Sequence, residues 1–337
     1  MTRAQRLVPV GDPSQVAEAR RRLVTMAREI GFDETDAARA GLVATELSTN
    51  LLKHAQGGEL LFGTFEDPDR AGIEVLALDR GPGIGNLGEA LRDGFSTAGS
   101  AGEGLGAVKR QSSLVDIVSW PGLGTAVLAR VTPRATGRGS ADPRPSPWGA
   151  VCVPKPGEEA CGDSWHAVAD EDGITALVVD GLGHGPSAAT AAATAVRAFA
   201  QNPARPVTEL LDTMHAALRP TRGAAGAVMR MRPGKAVSFA GIGNIAGTIV
   251  AGDQARRMVS HNGTMGHIAQ RIQSFEYPLP SGATVVLHSD GLGTSWSLAR
   301  YPGLLAAHPS LIAGVLFRDY RRGRDDATVL VVQDSRA

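Results

Sequence analysis

Between residues 13 and 55 the apolar positions recur every three to four residues. Val16, Leu23, Ala27 and Ile30 share one face. Asp12 and Pro13 ahead of them and Gly31 behind bound a first helix. Ala40, Val43, Ala44, Leu47 and Leu51 give a second stripe, predicting a helix over 34–55. The pattern then changes to short, nearly unbroken apolar runs. "GELLFGTFE", "GIEVLALD", "LVDIVSW" and "GTAVLARV" predict strands, with a short helix near 105–112 between the second and third. An α+β sandwich follows, a mixed sheet with helices on one face. After residue 148 the runs "ITALVVD", "GAVMRMR", "AVSFAGIG", "IAGTIVA", "ATVVLHSD" and "ATVLVVQ" predict strands, and helices fall near 187–200, 206–218 and 309–321. This second half reads as a β-sandwich flanked by helices.

Between the halves, "VTPRATGRGSADPRPSPWG" carries four prolines, three glycines and no apolar period. It reads as a semi-extended linker, dividing the chain into 1–131, a linker 132–147, and 148–337. The halves are expected to fold separately when cut near Ser140. Lysine plus arginine balance aspartate plus glutamate at 34 each, so the charge gives no reason to expect a nucleic acid or an anionic membrane as partner. No apolar run approaches the roughly 18 residues of a membrane span. The start "MTRAQRLVPVGDP" lacks a signal-peptide core, which places the protein in the cytoplasm. Cys152 and Cys161 read as reduced, small core residues.

Three elements in the first half carry candidate chemistry. In "ATELSTNLLKHA", Glu46, Asn50 and Lys53 form a stripe beside the apolar face. A carboxylate one turn from an amide can place a base beside a magnesium-bound phosphate, although the triplet alone reads sooner as a solvated polar edge. "LALDRGPGIG" ends an apolar strand on Asp79, followed by Gly81, Gly83 and Gly85. A strand-end aspartate can accept a hydrogen bond from an exocyclic amine, and glycines let backbone approach a flat ring. "DGFSTAGSAGEGLGAVKR" then runs from a mobile, glycine-rich stretch into a helix with Lys109 and Arg110 in its first turns, a cradle for phosphate.

Together these motifs resemble the ATP-binding domain of the GHKL superfamily. "ELSTNLLKHA" is similar to its N-box, "DRGPGIG" to its first glycine box, and "GEGLGAVKR" with "GTAV" to its second. Within it they are most similar to the RsbT and RsbW serine/threonine kinases of bacterial anti-sigma pathways. The resemblance implies ATP with Mg²⁺, Asn50 as the magnesium ligand, Glu46 as general base and Asp79 on the adenine amino group. It further implies Gly104, Leu105, Gly106 and Lys109 along the triphosphate and Thr125 near the adenine. Gly81, Gly83 and Lys53 complete the nucleotide-binding candidates, whereas His54 beside them reads as a packing residue.

In the second half, acidic residues recur at strand ends or turns: Asp163 in "CGDSW", Asp180 in "VVDGLGHG", Asp290 in "HSDGLG" and Asp325–Asp326 in "GRDDATVLV". Strand-end carboxylates can converge at one sandwich edge, and hard oxygens without a His or Cys set suit Mg²⁺ or Mn²⁺. The order of motifs resembles the metal-dependent protein phosphatases of the SpoIIE and RsbX branch. The resemblance implies two Mg²⁺ or Mn²⁺ ions, Asp180 as the catalytic, bridging ligand, and the Gly181 carbonyl, Asp163, Asp290 and one of the Asp325/Asp326 pair as further ligands. Asp325 is preferred, and the role of His184 stays open. Eukaryotic members have an acidic His where this chain has Leu182.

The expected whole is a bifunctional switch, a kinase and a phosphatase for a STAS-type anti-anti-sigma or stressosome-type protein. A sigma factor or a downstream phosphatase stands as a further partner. The rival reading is a nucleotide-dependent anti-sigma binding module in which only the phosphatase is catalytic.

Overall fold

A computed structural model of the chain describes residues 4–67, 70–85, 104–134, 146–269 and 271–334. The glycine-rich stretch expected ahead of the short helix, and most of the proposed linker, lie outside the described residues. The described chain forms two compact units.

The first unit begins with β1 (Arg6–Val10), α1 (Pro13–Glu29) and α2 (Glu34–Ala55). The Asp12 side chain accepts from the Ser14 amide, and Gln15 returns a bond to the Asp12 backbone, closing a capping box on α1. Next come β2 (Gly58–Asp67), β3 (Arg70–Leu78), α3 (Gly104–Gln111), β4 (Leu114–Trp120) and β5 (Gly124–Val131). The strands lie in the order β1-β2-β3-β5-β4. Every described pairing in this sheet is antiparallel, so the α+β class stands while the expected mixed sheet is corrected. Two hairpins, β2–β3 and β4–β5, impose that direction. Val8, Leu60, Phe62, Ile73, Val75, Ala77 and Val127 point to one face, where Leu23, Ala40, Ala44, Leu47 and Val108 of the helices meet them.

The second unit contains β6 (Trp148–Val153), β7 (Asp163–Asp170), β8 (Gly173–Gly181), α4 (Pro186–Ala200), α5 (Val207–Leu218), β9 (Ala224–Arg232) and β10 (Ala236–Ile242). It continues through β11 (Ala246–Ala251), β12 (Gln254–Met258), β13 (Phe275–Pro278) and β14 (Thr284–His288), and β15 (Ala327–Gln333) closes it. Two five-stranded sheets, β13-β10-β9-β8-β7 and β12-β11-β14-β15-β6, stack on a shared core. Ala176, Val178, Met229 and Phe239 from one sheet meet Val285, Leu287, Leu330 and Val332 from the other. Outside the first sheet, Ala191, Ala195 and Phe199 of α4 and Leu210 and Met214 of α5 cover Leu177, Val179 and Val228.

One further helix, α6 (Pro309–Tyr320), has its residues up to Arg318 grouped with Gln5–Ser146 in the first unit. The sheet face away from α1–α3 carries Leu61, Leu76, Leu78, Ala126 and Leu128, all buried. A Cβ on Gly314 would touch Leu78 at 3.1 Å and Leu76 at 3.6 Å, so α6 lies on that face. Helices therefore cover both faces of the sheet, where one was expected. Ser310 Oγ donates to Glu74 Oε2 (2.9 Å), Arg130 pairs with the same buried carboxylate (2.8 Å), and the His308 amide donates to Asp116 Oδ2 (2.8 Å). No described helix is long and apolar enough to cross a membrane.

Two predictions follow from these contacts. Burial, helped by the Arg130 charge, pushes His308 down to about 3, and its Nδ1 accepts from the Ser310 amide at the start of α6. The ring is therefore neutral when folded, whereas the unfolded chain takes up a proton below about pH 6.5. Its contribution to stability is present above that pH and is lost as pH falls toward 3. Between pH 7 and pH 5 the first unit of wild type should lose about 2 kcal/mol more than His308→Gln, one and a half pH units at about 1.36 kcal/mol each. Urea unfolding at the two pH values measures the difference, and parallel losses would refute it.

The second concerns the turn between β4 and β5. Gly122 and Gly124 both have positive φ, +74° and +86°. A Cβ on Gly122 meets nothing within 4 Å, whereas one on Gly124 would stand 2.1 Å from the Asp79 carbonyl oxygen. Gly122→Ala should cost only the left-handed penalty, about 1–2 kcal/mol, and Gly124→Ala at least about 3 kcal/mol because backbone must move. Thermal unfolding of the two variants makes the comparison, and equal losses would contradict the close approach.

Candidate functional site

In the first unit, Glu46 and Asn50 stand one turn apart on α2, both half-buried. The start of α3 closes over them. A Cβ on Gly104 would lie 3.2 Å from Asn50 Oδ1 and 3.4 Å from Glu46 Oε2. The structure thus brings the amide, the carboxylate and the first amides of a glycine-rich helix together. Leu105 and Gly106 sit in that first turn. Lys109 and Arg110 fall in the second and last turn of this short helix and are exposed. Lys53 is likewise exposed, in the last turn of α2.

Asp79 follows β3 and is buried to 9% exposure. Its Oδ1 accepts from the Gly81 amide (2.8 Å) and the Thr125 amide (3.1 Å), and its own amide donates to the Thr125 carbonyl (3.0 Å). Burial raises its pKa, opposed by those two amides and by the charge of Arg318. The carboxylate is thus fixed in place by the strand beside it. Gly83 packs on Trp120, its missing Cβ 2.2 Å from the Trp120 carbonyl oxygen. Thr125 Oγ1 lies 2.9 Å from Ser119 Oγ, which also accepts from the Ile84 amide (2.7 Å). Ser119 carried no signal in the sequence beyond its place in an apolar run.

In the second unit, Asp163 opens β7 and Asp180 nears the end of β8, and the two are direct partners in the ladder. Asp163 Oδ2 accepts from Ser289 Oγ (2.6 Å), while its buried Oδ1 has no hydrogen-bond partner. Burial and the Asp180 charge raise the Asp163 pKa well above the usual carboxylate range. Asp180 is pushed up to about 7, by burial first and then by Asp290 and Asp325. Asn244 Nδ2 donates to Asp290 Oδ2 (2.7 Å), and the same side chain opposes the rise at Asp180. In the sequence Asn244 stands just past the "AVSFAGIG" run, with nothing in the apolar pattern to mark it.

The adjacent pair divides its work. Asp326 is buried, with Oδ1 accepting from the Lys155 amide (2.8 Å) and Oδ2 from the Gly162 amide (3.0 Å). Asp325 is exposed and contributes to the field at Asp180. At Gly181 a Cβ would fall 2.2 Å from the Ala188 carbonyl, so the turn packs tightly on α4. Cys152 and Cys161 are both buried and not joined in a disulfide, their sulfurs 3.7 Å apart. His184 is half exposed, with Nδ1 2.6 Å from Glu158 Oε1.

Among the described residues no three His, Cys, Asp or Glu side chains stand close enough together to hold a metal ion as placed. The donor chemistry still fits a hard dication. Neighbouring carboxylates raise the proton affinity of Asp163 and Asp180, and one buried oxygen has no donor. A cation drawing the side chains inward would relieve both.

Residues 10–131 match the family described as "Histidine kinase-like ATPase domain", and residues 170–334 match "Stage II sporulation protein E (SpoIIE)". Over 104 residues the chain is 36% identical to "Serine/threonine-protein kinase RsbT" of Bacillus subtilis (strain 168), covering 31% of this chain and 78% of that one. A solved structure described as "The bacterial stressosome: a modular system that has been adapted to control secondary messenger signaling" is 28% identical with a TM-score of 0.51, covering 55% of this chain and 97% of its own. That of RsbX in complex with magnesium is 18% identical with a TM-score of 0.46, over 55% and 92% of the two chains. With Glu46, Asn50, Asp79 and the α3 glycines at one end of the first sheet, and the aspartates at one edge of the second unit, the chain belongs to the RsbT family of histidine kinase-like ATPase domains, fused to a SpoIIE-type phosphatase domain.

Proposed function

We propose that the protein is a bifunctional partner-switching regulator of the cytoplasm. Its first unit phosphorylates a serine or threonine on a STAS-type anti-anti-sigma or stressosome-type protein, and its second removes a phosphoryl group from such a protein. The observation that carries the reading is the buried, unpartnered Asp163 Oδ1 beside Asp180, an oxygen placed to receive a cation. The kinase half rests on the closeness of Gly104 to Glu46 and Asn50 and on the identity to RsbT.

In the first unit Asp79, its carboxylate oriented by the Gly81 and Thr125 amides, accepts from the adenine amino group. Gly104, Leu105 and Gly106 present main-chain amides to the phosphates. Asn50 holds magnesium through its amide oxygen, and Glu46 takes the proton of the attacking hydroxyl. In the second unit Asp163, Asp180, Asp290, Asp325 and the Gly181 carbonyl would hold two Mg²⁺ or Mn²⁺ ions. When bound, these ions supply the positive charge that offsets the carboxylates and polarises the phosphate ester. Asn244 orients Asp290, and Asp326 anchors the Lys155 and Gly162 backbone around the aspartates.

Two substitutions test the halves separately against a purified STAS-domain substrate. Glu46→Gln should keep ATP affinity while phosphorylation falls by about 10²–10⁴, the contribution of one placed proton acceptor. An unchanged phosphorylation rate would remove Glu46 as the base, and ATP binding without phosphorylation by wild type would identify a nucleotide-dependent binding module instead. Asp180→Asn should lower dephosphorylation of the phosphoserine form by at least about 10² and leave the chain folded, because it relieves repulsion. A near wild-type rate in a phosphate-release assay would remove the aspartates from the chemistry.

A further inference from the structure

Arg318 is the largest fully buried side chain in the described protein, with 2% of its surface exposed. A guanidinium removed from water needs acceptors that hold it. Its Nη1 donates to the Asp79 main-chain carbonyl at 2.6 Å. Asp79 is the residue whose carboxylate the Gly81 and Thr125 amides fix.

The contact is part of a register between helix and strand. Ser310, Gly314 and Arg318 are spaced by four and lie on one face of α6. Ser310 bonds Glu74, Gly314 meets Leu76 and Leu78, and Arg318 reaches Asp79. The helix therefore runs along β3 from its middle to its end, with a short, a bare and a long side chain matched to the strand beneath. The Asp79 carbonyl is confined from the other side by Gly124, whose backbone leaves no room for a methyl group.

We propose that Arg318 is a positioning residue of the nucleotide site: it fixes the Asp79 backbone so that the carboxylate meets the adenine amino group. The proposal rests on the reading of Asp79 as the adenine contact. The positive charge of Arg318 also opposes the effect of burial on Asp79, favouring the ionised acceptor. The nucleotide pocket is then completed by Arg318, 191 positions beyond Val127, the end of the last of its own motifs.

The test compares ATP with purine riboside triphosphate, which lacks the exocyclic amine, on the full chain with Mg²⁺. In Arg318→Met, calorimetry should show ATP affinity lower by about tenfold and the analogue's affinity changed by less than about twofold. Arg318→Lys should restore part of the ATP preference. An equal loss for both nucleotides, or none, would mean that Arg318 only supports the fold, and the proposal would fall. Failure of wild type to bind either nucleotide would instead overturn the reading of Asp79 beneath it. If Arg318→Met does not fold, amide exchange in the unmodified chain decides. Slower exchange across 309–318 with ATP than with the analogue supports the proposal, and identical exchange overturns it.

Discussion

An antiparallel sheet with apolar residues on both faces must be covered twice. In the first unit Ile73, Val75 and Ala77 of β3 turn toward α1–α3, while Leu76 and Leu78 turn the other way. Period-two alternation makes this unavoidable. Covering the second face falls to α6, and once there the helix meets Glu74, Arg130 and Asp116, polar groups that its burial obliges it to satisfy. Ser310 and the His308 amide do so, and Arg318 takes the carbonyl at the strand's end. The nucleotide-site frame and the cover of the sheet are thus one construction.

The second unit is governed by the opposite problem, too much like charge at one edge. Its aspartates are spread over β7, β8 and the turns after β14 and before β15, so no single element bears the repulsion. Neutral donors are inserted among them: Ser289 to Asp163, Asn244 to Asp290, main-chain amides to Asp326. These bonds hold a cluster whose members otherwise repel, which is what a dication site requires before the ion arrives.

Much of this was legible. Helix α2 runs from 34 to 55 as its apolar period predicts, and Asp12 caps α1 as its position suggests. The strands that escaped notice, β1, β6, β7, β12 and β13, are all at sheet edges. Edge strands are short or polar, as "RLVPV" and "QARRM" are, so they lack the apolar run by which inner strands are recognised. Among site residues, those ending an inner strand on a charge were visible, Asp79 and Asp180 above all. Ser119, Asn244 and Ser289 were not, because a neutral side chain that orients another leaves no mark on hydrophobic patterning. The membership of α6 was hidden for a different reason: an amphipathic helix announces that it will be buried but not by which partner.

That membership bears on synthesis. Translation delivers β5 by residue 131 but the Arg318 that completes the same unit only 187 residues later. At about 5–20 residues per second the ribosome takes roughly 10–40 s over that interval. For that time the nascent first unit presents Leu61, Leu76, Leu78 and Leu128 to its surroundings, a sticky surface that a chaperone or a borrowed helix has to shield. Its completion waits for residues far downstream, although its own motifs are the first to leave the tunnel.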